Sequence, residues 1–211
     1  LFFEDLALGT DTDVAVTSEE ASQALKVQIL KDPEAFFTRD DEFRSWKKRF
    51  DLWKSHSGEE ETFPWLDLVE SATQGKTRIK EVMEFPWRSY LENVHPVLKQ
   101  VERDLPERLT VPTGNQIKVD YESSPPKLSV RLQEIFGWLE TPQLMQGKVP
   151  LVIELLSPGF RPIQLTRDLK SFWNNAYFEV KKELKIRYPK HAWPEDPLTA
   201  KPEAKGRRRN P

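Results

Sequence analysis

Across residues 17–105 the apolar positions recur at helical spacing. Thr17 and Glu20 form a capping box, and Ala21, Leu25 and Ile29 follow at intervals of four, which predicts a helix to about Lys31. Asp40 heads a second helix with Phe43, Trp46, Phe50 and Trp53 down one face, the spacing of a buried stripe, and with Arg44, Lys47, Lys48 and Lys54 elsewhere on its surface. After the acidic loop Gly58–Glu61 and Pro64 the pattern resumes with Trp65, Leu66 and Val69, then Ile79, Val82 and Met83. Phe85-Pro86 breaks it, Trp87, Leu91 and Val94 continue it, and Val97, Leu98 and Val101 close it between Pro96 and Pro106. Residues 17–105 therefore read as a region of short packed helices. Ahead of them, LFFEDLAL at Leu1–Leu8 reads as a strand that starts in mid-element, so residues 1–16 are expected to be a strand and linker cut from a longer chain.

The period changes after Leu105. RLTVPTGNQIKVDY, Arg108 to Tyr121, is two short alternating runs around Thr113-Gly114-Asn115, which is hairpin chemistry. Pro125 and Pro126 interrupt it, and LSVRLQEIFGW, Leu128 to Trp138, reads as a helix stopped by Gly137. VPLVIELL, Val149 to Leu156, is a buried strand turned by Ser157-Pro158-Gly159 into RPIQLT, Arg161 to Thr166, and a last helix spans about Asp168 to Arg187. The expected fold class is α+β: a helical N-terminal half, then a small sheet domain over residues 106–200 built from two ββα units. Residues 201–211 read as a disordered basic tail, with three consecutive arginines ending at Arg209.

Composition narrows the class of protein. At 37% hydrophobic and 31% charged residues the chain is a soluble globular type, and without cysteine it has neither disulfides nor thiolate zinc sites, which favours an intracellular home. No membrane insertion is expected, because the longest strongly apolar run, Val149–Leu156, contains Pro150 and Glu154 and falls far short of a bilayer span. Charge is uneven: residues 1–110 hold 15 basic and 23 acidic side chains, a net of −8, whereas residues 111–211 hold 17 and 11, a net of +6. The basic part is the one suited to a polyanion.

Motifs of catalysis are incomplete. Gly75-Lys76-Thr77 ends like a phosphate-binding loop, but the required first glycine falls on Glu70, whose carboxylate would face the phosphates, and a helix precedes it where a strand is needed. His56, His95 and His191 lack metal-ligand spacing, Asp11 and Asp13 lack the rest of a calcium loop, and Asp40 with Asp41 is explained by a helix N-terminus. No residue is assigned as catalytic or metal-binding, and no cofactor is expected for these 211 residues.

Two C-terminal features carry more. In the last helix Leu169, Phe172, Trp173, Ala176, Val180 and Leu184 form the apolar face, and Lys170, Asn174, Tyr177, Lys181 and Lys185 fall in a row about 100° around it. With Lys182, Arg187 and Lys190 nearby, Tyr177 as a stackable ring and cations beside it suit sequence-tolerant RNA binding, of weak affinity. A lysine-rich exposed face whose last cations complement the helix dipole accounts for the same residues. RYPKHAWPEDP, Arg187–Pro197, must be extended, because Pro189 and Pro194 fix φ and exclude the helical region for the residue before each. Tyr188, Pro189, His191, Trp193 and Pro194 then form a strap that either seals the domain or presents its rings to a partner.

Several of these segments are recognisable together. VPTG at Val111–Gly114, PPKLSVRLQEIFG at Pro125–Gly137, QGKVPLVIELLSP at Gln146–Pro158, RPIQLTRDLKSFW at Arg161–Trp173 and RYPKHAWPEDP resemble the C-terminal region of the bacterial HrpB-type ATP-dependent RNA helicases of the DExH family. The resemblance is specific over residues 106–200 and looser upstream, where LFFEDLAL resembles that family's passage out of an oligonucleotide-binding-fold region. It implies a cytoplasmic helicase whose motor domains, with their ATP and magnesium, lie outside this chain and are a partner of it. It implies too that this part is inactive alone and either guides RNA or docks the motor onto another macromolecule; the alternative is a protein-protein interaction module without RNA contact. One departure is Ile186, where the family commonly has glycine; it implies a helix that runs closer to Pro189.

Overall fold

The computed structural model describes residues 2–3, 6–7, 16–60, 62–95 and 97–204. It is α+β. Nine helices and seven strands follow in the order β1 (Phe2–Phe3), β2 (Leu6–Ala7), α1 (Ser18–Ile29), α2 (Pro33–Phe37), α3 (Asp41–Ser57), α4 (Trp65–Thr73), α5 (Ile79–Met83), α6 (Trp87–Val94), α7 (Val97–Asp104), β3 (Arg108–Thr110), β4 (Gln116–Lys118), β5 (Lys127–Arg131), β6 (Val152–Leu156), β7 (Pro162–Thr166), α8 (Leu169–Ser171) and α9 (Tyr177–Arg187) among the described residues. Two compact units emerge, Leu1–Arg44 with Glu61–His95, and Ser45–Glu60 with Pro96–Pro211. The helical stretch 17–105 thus contributes to both.

In the first unit, the capping box at Thr17 and Glu20 starts α1, and the Asp32 side chain accepts from the Ala35 amide to start α2. Its core is aromatic: Phe43 meets the Trp87 ring edge-on at 4.9 Å and lies 5.3 Å from Phe37 and 5.9 Å from Trp65. The single N-terminal strand expected at Leu1–Leu8 is instead two short antiparallel ones, Phe2 opposite Ala7 and Phe3 opposite Leu6.

The second unit takes most of α3. Trp46, Phe50 and Trp53 are buried there, as are Leu98 and Val101 of α7. Arg49, almost wholly buried, is held by Glu102 at 2.8 Å and by the Leu105 carbonyl at 3.0 Å, and the Trp53 indole donates to Asp104 at 3.1 Å. These polar pairs are the price of threading a guanidinium through an apolar helix pair. β3 and β4 pair as the hairpin around residues 113–115, with Thr110 opposite Gln116.

The main sheet has the order β5-β6-β7, β5 parallel to β6 and β6 antiparallel to β7. Here one expectation fails. Leu128–Trp138 is not a helix: Lys127–Arg131 is a strand, followed by a 3₁₀ turn at Leu132–Ile135. Leu128 and Val130 alternate inward with Ser129 and Arg131 outward, and pairing with β6 settles the strand over the helix.

A candidate nucleic-acid interface on the last helix and its strap

The last helix is interrupted by one π turn, Phe172–Ala176, in which the Tyr177 amide donates to the Phe172 carbonyl. A π turn holds one residue more than an α turn, so every side chain after it is rotated by about 100°. The consequence is visible in burial. Leu169, Phe172 and Trp173 face the core as the periodicity predicts, but beyond the turn it is Tyr177, Lys181 and Leu184 that are buried, while Ala176 and Val180 are only half-buried.

Two of the proposed RNA-contacting residues therefore point inward. Tyr177 is fully buried, meets Trp173 and Phe136 edge-on at 5.5 and 6.4 Å, and donates its hydroxyl to the Pro194 carbonyl at 2.9 Å. It has no face left for a base, and burial pushes its hydroxyl above the ordinary tyrosine range. Lys181 is 7% exposed and its ammonium lies 2.6 Å from Glu195, whose carboxyl it holds below the ordinary glutamate value. Lys170, Lys182, Lys185, Arg187 and Lys190 are exposed. Lys182 pairs with Glu179 at 2.7 Å and Arg187 with Glu183 at 3.5 Å, contacts of little worth at a surface.

The side chain that the π turn moves into the row vacated by Tyr177 is Phe178, 43% exposed. With Lys182 four residues on and Lys185 seven on, it makes a single row on the outer face of α9, and Ile186, 85% exposed, flanks it. Periodicity alone missed Phe178, because the register change that puts it in the place of Tyr177 has no mark in the sequence.

The strap folds back. Trp193 is 9% exposed and donates its indole N–H to the Tyr188 carbonyl at 2.9 Å; the Gly137 amide donates to the Pro197 carbonyl at 2.9 Å, and the Glu203 amide to the Gln133 carbonyl at 2.8 Å. Tyr188 and His191 are half-buried with their rings edge-on at 6.1 Å, Pro194 is half-buried and Pro189 exposed.

Elsewhere the structure treats the weaker motifs plainly. Gly75-Lys76-Thr77 follows α4 directly, with the Lys76 amide closing a turn onto Thr73 and the Ser22 hydroxyl capping the Lys76 carbonyl. Among the described residues no three His, Asp or Glu side chains gather to hold a metal, and no helix is long and apolar enough to cross a membrane. Asp11, Asp13 and the basic run Lys205–Arg209 lie outside the described residues.

Residues 65–197, more than half of the chain, match the family described as ATP-dependent helicase C-terminal, HrpB_C. The chain belongs to this family. Over 105 residues this HrpB-type region is 54% identical to the ATP-dependent RNA helicase HrpB of Escherichia coli (strain K12), a stretch that is 49% of the chain and 13% of that protein. A crystal structure of E. coli DExH-box NTPase HrpB superposes with a TM-score of 0.77 at 33% identity, covering 90% of this chain and 25% of that one. A second, of E. coli DEAH/RHA helicase HrpB, gives 0.65 at 32% identity over 84% and 24%. The HrpB-type region here thus spans a quarter or less of each relative's length.

Proposed function

We propose that this HrpB-type region serves an ATP-dependent RNA helicase of the bacterial cytoplasm as an accessory that holds single-stranded RNA weakly and without reading its sequence. Motor domains outside these residues bind ATP and magnesium and do the mechanical work. The observation that carries this reading is the outward row Phe178, Lys182 and Lys185 on α9, a stackable ring in line with two cations. Lys170, Arg187 and Lys190 widen the positive surface, and the surface ion pairs of Lys182 and Arg187 exchange readily for phosphate. The domain partition that fits this role is a helical region over 17–105, a phosphate-contacting α+β part over 106–200 and a basic tail beyond.

The test is titration of labelled single-stranded oligonucleotides at several salt concentrations. Each phosphate contact contributes about 0.7 to the log-log salt slope for single strands, so Lys182→Ala with Lys185→Ala should lower its magnitude by about 1.4, equally for unrelated sequences. Equal slopes in variant and wild type remove α9 from the RNA path. The second reading, a protein-docking module, rests on Ile186 and on Leu165, 85% and 60% exposed, since Trp193 faces inward. A partner retained at high salt and lost with Ile186→Lys would favour it.

A further inference from the structure

The β6–β7 hairpin carries a feature that neither the sheet nor α9 requires. Its turn runs Ser157-Pro158-Gly159-Phe160, closed by the Phe160 amide on the Ser157 carbonyl at 2.9 Å and by the Ser157 amide on the Arg161 carbonyl at 2.8 Å. Short hairpin loops of this kind usually give their left-handed position to glycine. Here Phe160 occupies it, at φ 60°, while Gly159 has no such angle. The glycine is needed for a different reason: a Cβ on residue 159 would stand 2.8 Å from the Tyr188 hydroxyl. Tyr188 thus takes the turn's glycine for close approach and leaves the strain to a bulky aromatic residue, a genuine backbone outlier.

The strained residue is also displayed. Phe160 is 67% exposed, and one face of its ring is backed by the Arg131 guanidinium 4.9 Å from the centroid. Arg131 is itself fixed. Its side chain is only 13% exposed, Nε donates to Glu134 at 2.7 Å, and the guanidinium also donates to the Ala204 carbonyl. Glu134 in turn accepts from Asn115 at 2.8 Å. The two ends of residues 188–204 therefore support this turn, Tyr188 against Gly159 and Ala204 behind the arginine. A burial purpose would hide the ring, and a purely structural turn would place glycine or asparagine there.

We infer that Phe160, braced by Arg131, is a preformed platform on which one unpaired nucleobase of single-stranded RNA stacks. A rigid aromatic ring with one face backed by protein and the rest open fits a flat π system, and exposed Arg161, the next residue in the chain, supplies a cation for the adjoining phosphate. The residues that build it lie in the part of the chain with net charge +6. This inference rests on the RNA reading of α9 and adds a second base contact to the ring of Phe178 and the cations beside it.

The experiment compares a labelled single-stranded oligoadenylate with an abasic oligonucleotide of equal length and phosphate charge, both titrated onto the whole chain. The variant is Phe160→Asn, because asparagine accepts the left-handed backbone and the hairpin still closes; unchanged far-UV circular dichroism confirms the fold. Wild type should prefer the intact oligonucleotide about tenfold, the size of one base-aromatic stack, with a ratio that salt barely moves. Phe160→Asn should lose most of that preference, keeping only what Phe178 supplies, and Phe160→Trp should restore it. If Phe160→Asn keeps the full preference, the platform is wrong and the phosphate row on α9 stands. If wild type binds neither oligonucleotide, the RNA reading fails and the platform with it, the result expected of a ring that docks a protein segment instead.

Discussion

Replacing Trp193 by alanine isolates what the strap does for the fold. The indole is buried to within 9% of its surface and its N–H is spent on the Tyr188 carbonyl at 2.9 Å. Truncating a buried large aromatic costs about 3–5 kcal/mol. The lower end applies, because an extended strap at the edge of a unit collapses into a void more easily than a sheet does, so Trp193→Ala should destabilise by about 3 kcal/mol and lower Tm by roughly 10 °C. Trp193→Phe keeps most of the apolar area and loses the hydrogen bond, so it should cost about 1 kcal/mol plus a smaller packing loss. Urea unfolding followed by far-UV circular dichroism reads both. The chain has two compact units, so the transition that includes residues 96–211 is the one to fit. Unchanged midpoints for Trp193→Ala, with oligonucleotide or partner binding lost, would refute the reasoning and make the strap a recognition element.

Two further outcomes follow from contacts along the same strap. Because Lys181 holds the Glu195 carboxyl below its ordinary value in the folded state, the pair stabilises fully above the ordinary glutamate range and less as pH falls through the lowered value; the Tm gap between wild type and Glu195→Gln should be present at pH 7 and close in acid, and a gap that does not change with pH would show that the pair contributes nothing. Gly159→Ala should destabilise by about 1 kcal/mol through its clash with Tyr188, and Tyr188→Phe in the same chain should recover most of that by removing the atom 2.8 Å away; additive effects in a double-mutant thermal series would contradict the close contact.

The readable parts of this sequence were those with local causes. The capping box at Thr17, the acceptor at Asp40 that starts α3 and the hairpin around Gly114 each depend on residues within a turn of one another. Leu128–Phe136 misled because Leu128, Val130 and Leu132 recur at two while Leu128, Leu132, Ile135 and Phe136 recur at the helical period. The parallel partner that decides the matter, β6, begins at Val152, about twenty residues away. The π turn misled more deeply: it leaves α9 helical in pattern yet exchanges Tyr177 for Phe178 on its outer face. At the hairpin tip the glycine of Ser157-Pro158-Gly159 was legible as a turn residue, but its actual constraint comes from Tyr188, beyond the end of α9.

That distant constraint explains the strap's composition. An extended segment without ladder hydrogen bonds is expensive to order, and each of its donors needs a partner. Proline answers both difficulties, since it brings no N–H and has less unfolded freedom to lose. Pro189, Pro194, Pro197 and Pro202 punctuate residues 188–204, and the proline carbonyls are used as acceptors: Pro194 takes the Tyr177 hydroxyl and Pro197 the Gly137 amide. Tyr177 can reach Pro194 only because the π turn has rotated it inward, and the same rotation puts Lys181 opposite Glu195. The register change in the helix and the prolines of the strap are therefore one device, which anchors the segment whose ends at Tyr188 and Ala204 hold the Phe160 hairpin and Arg131 in place.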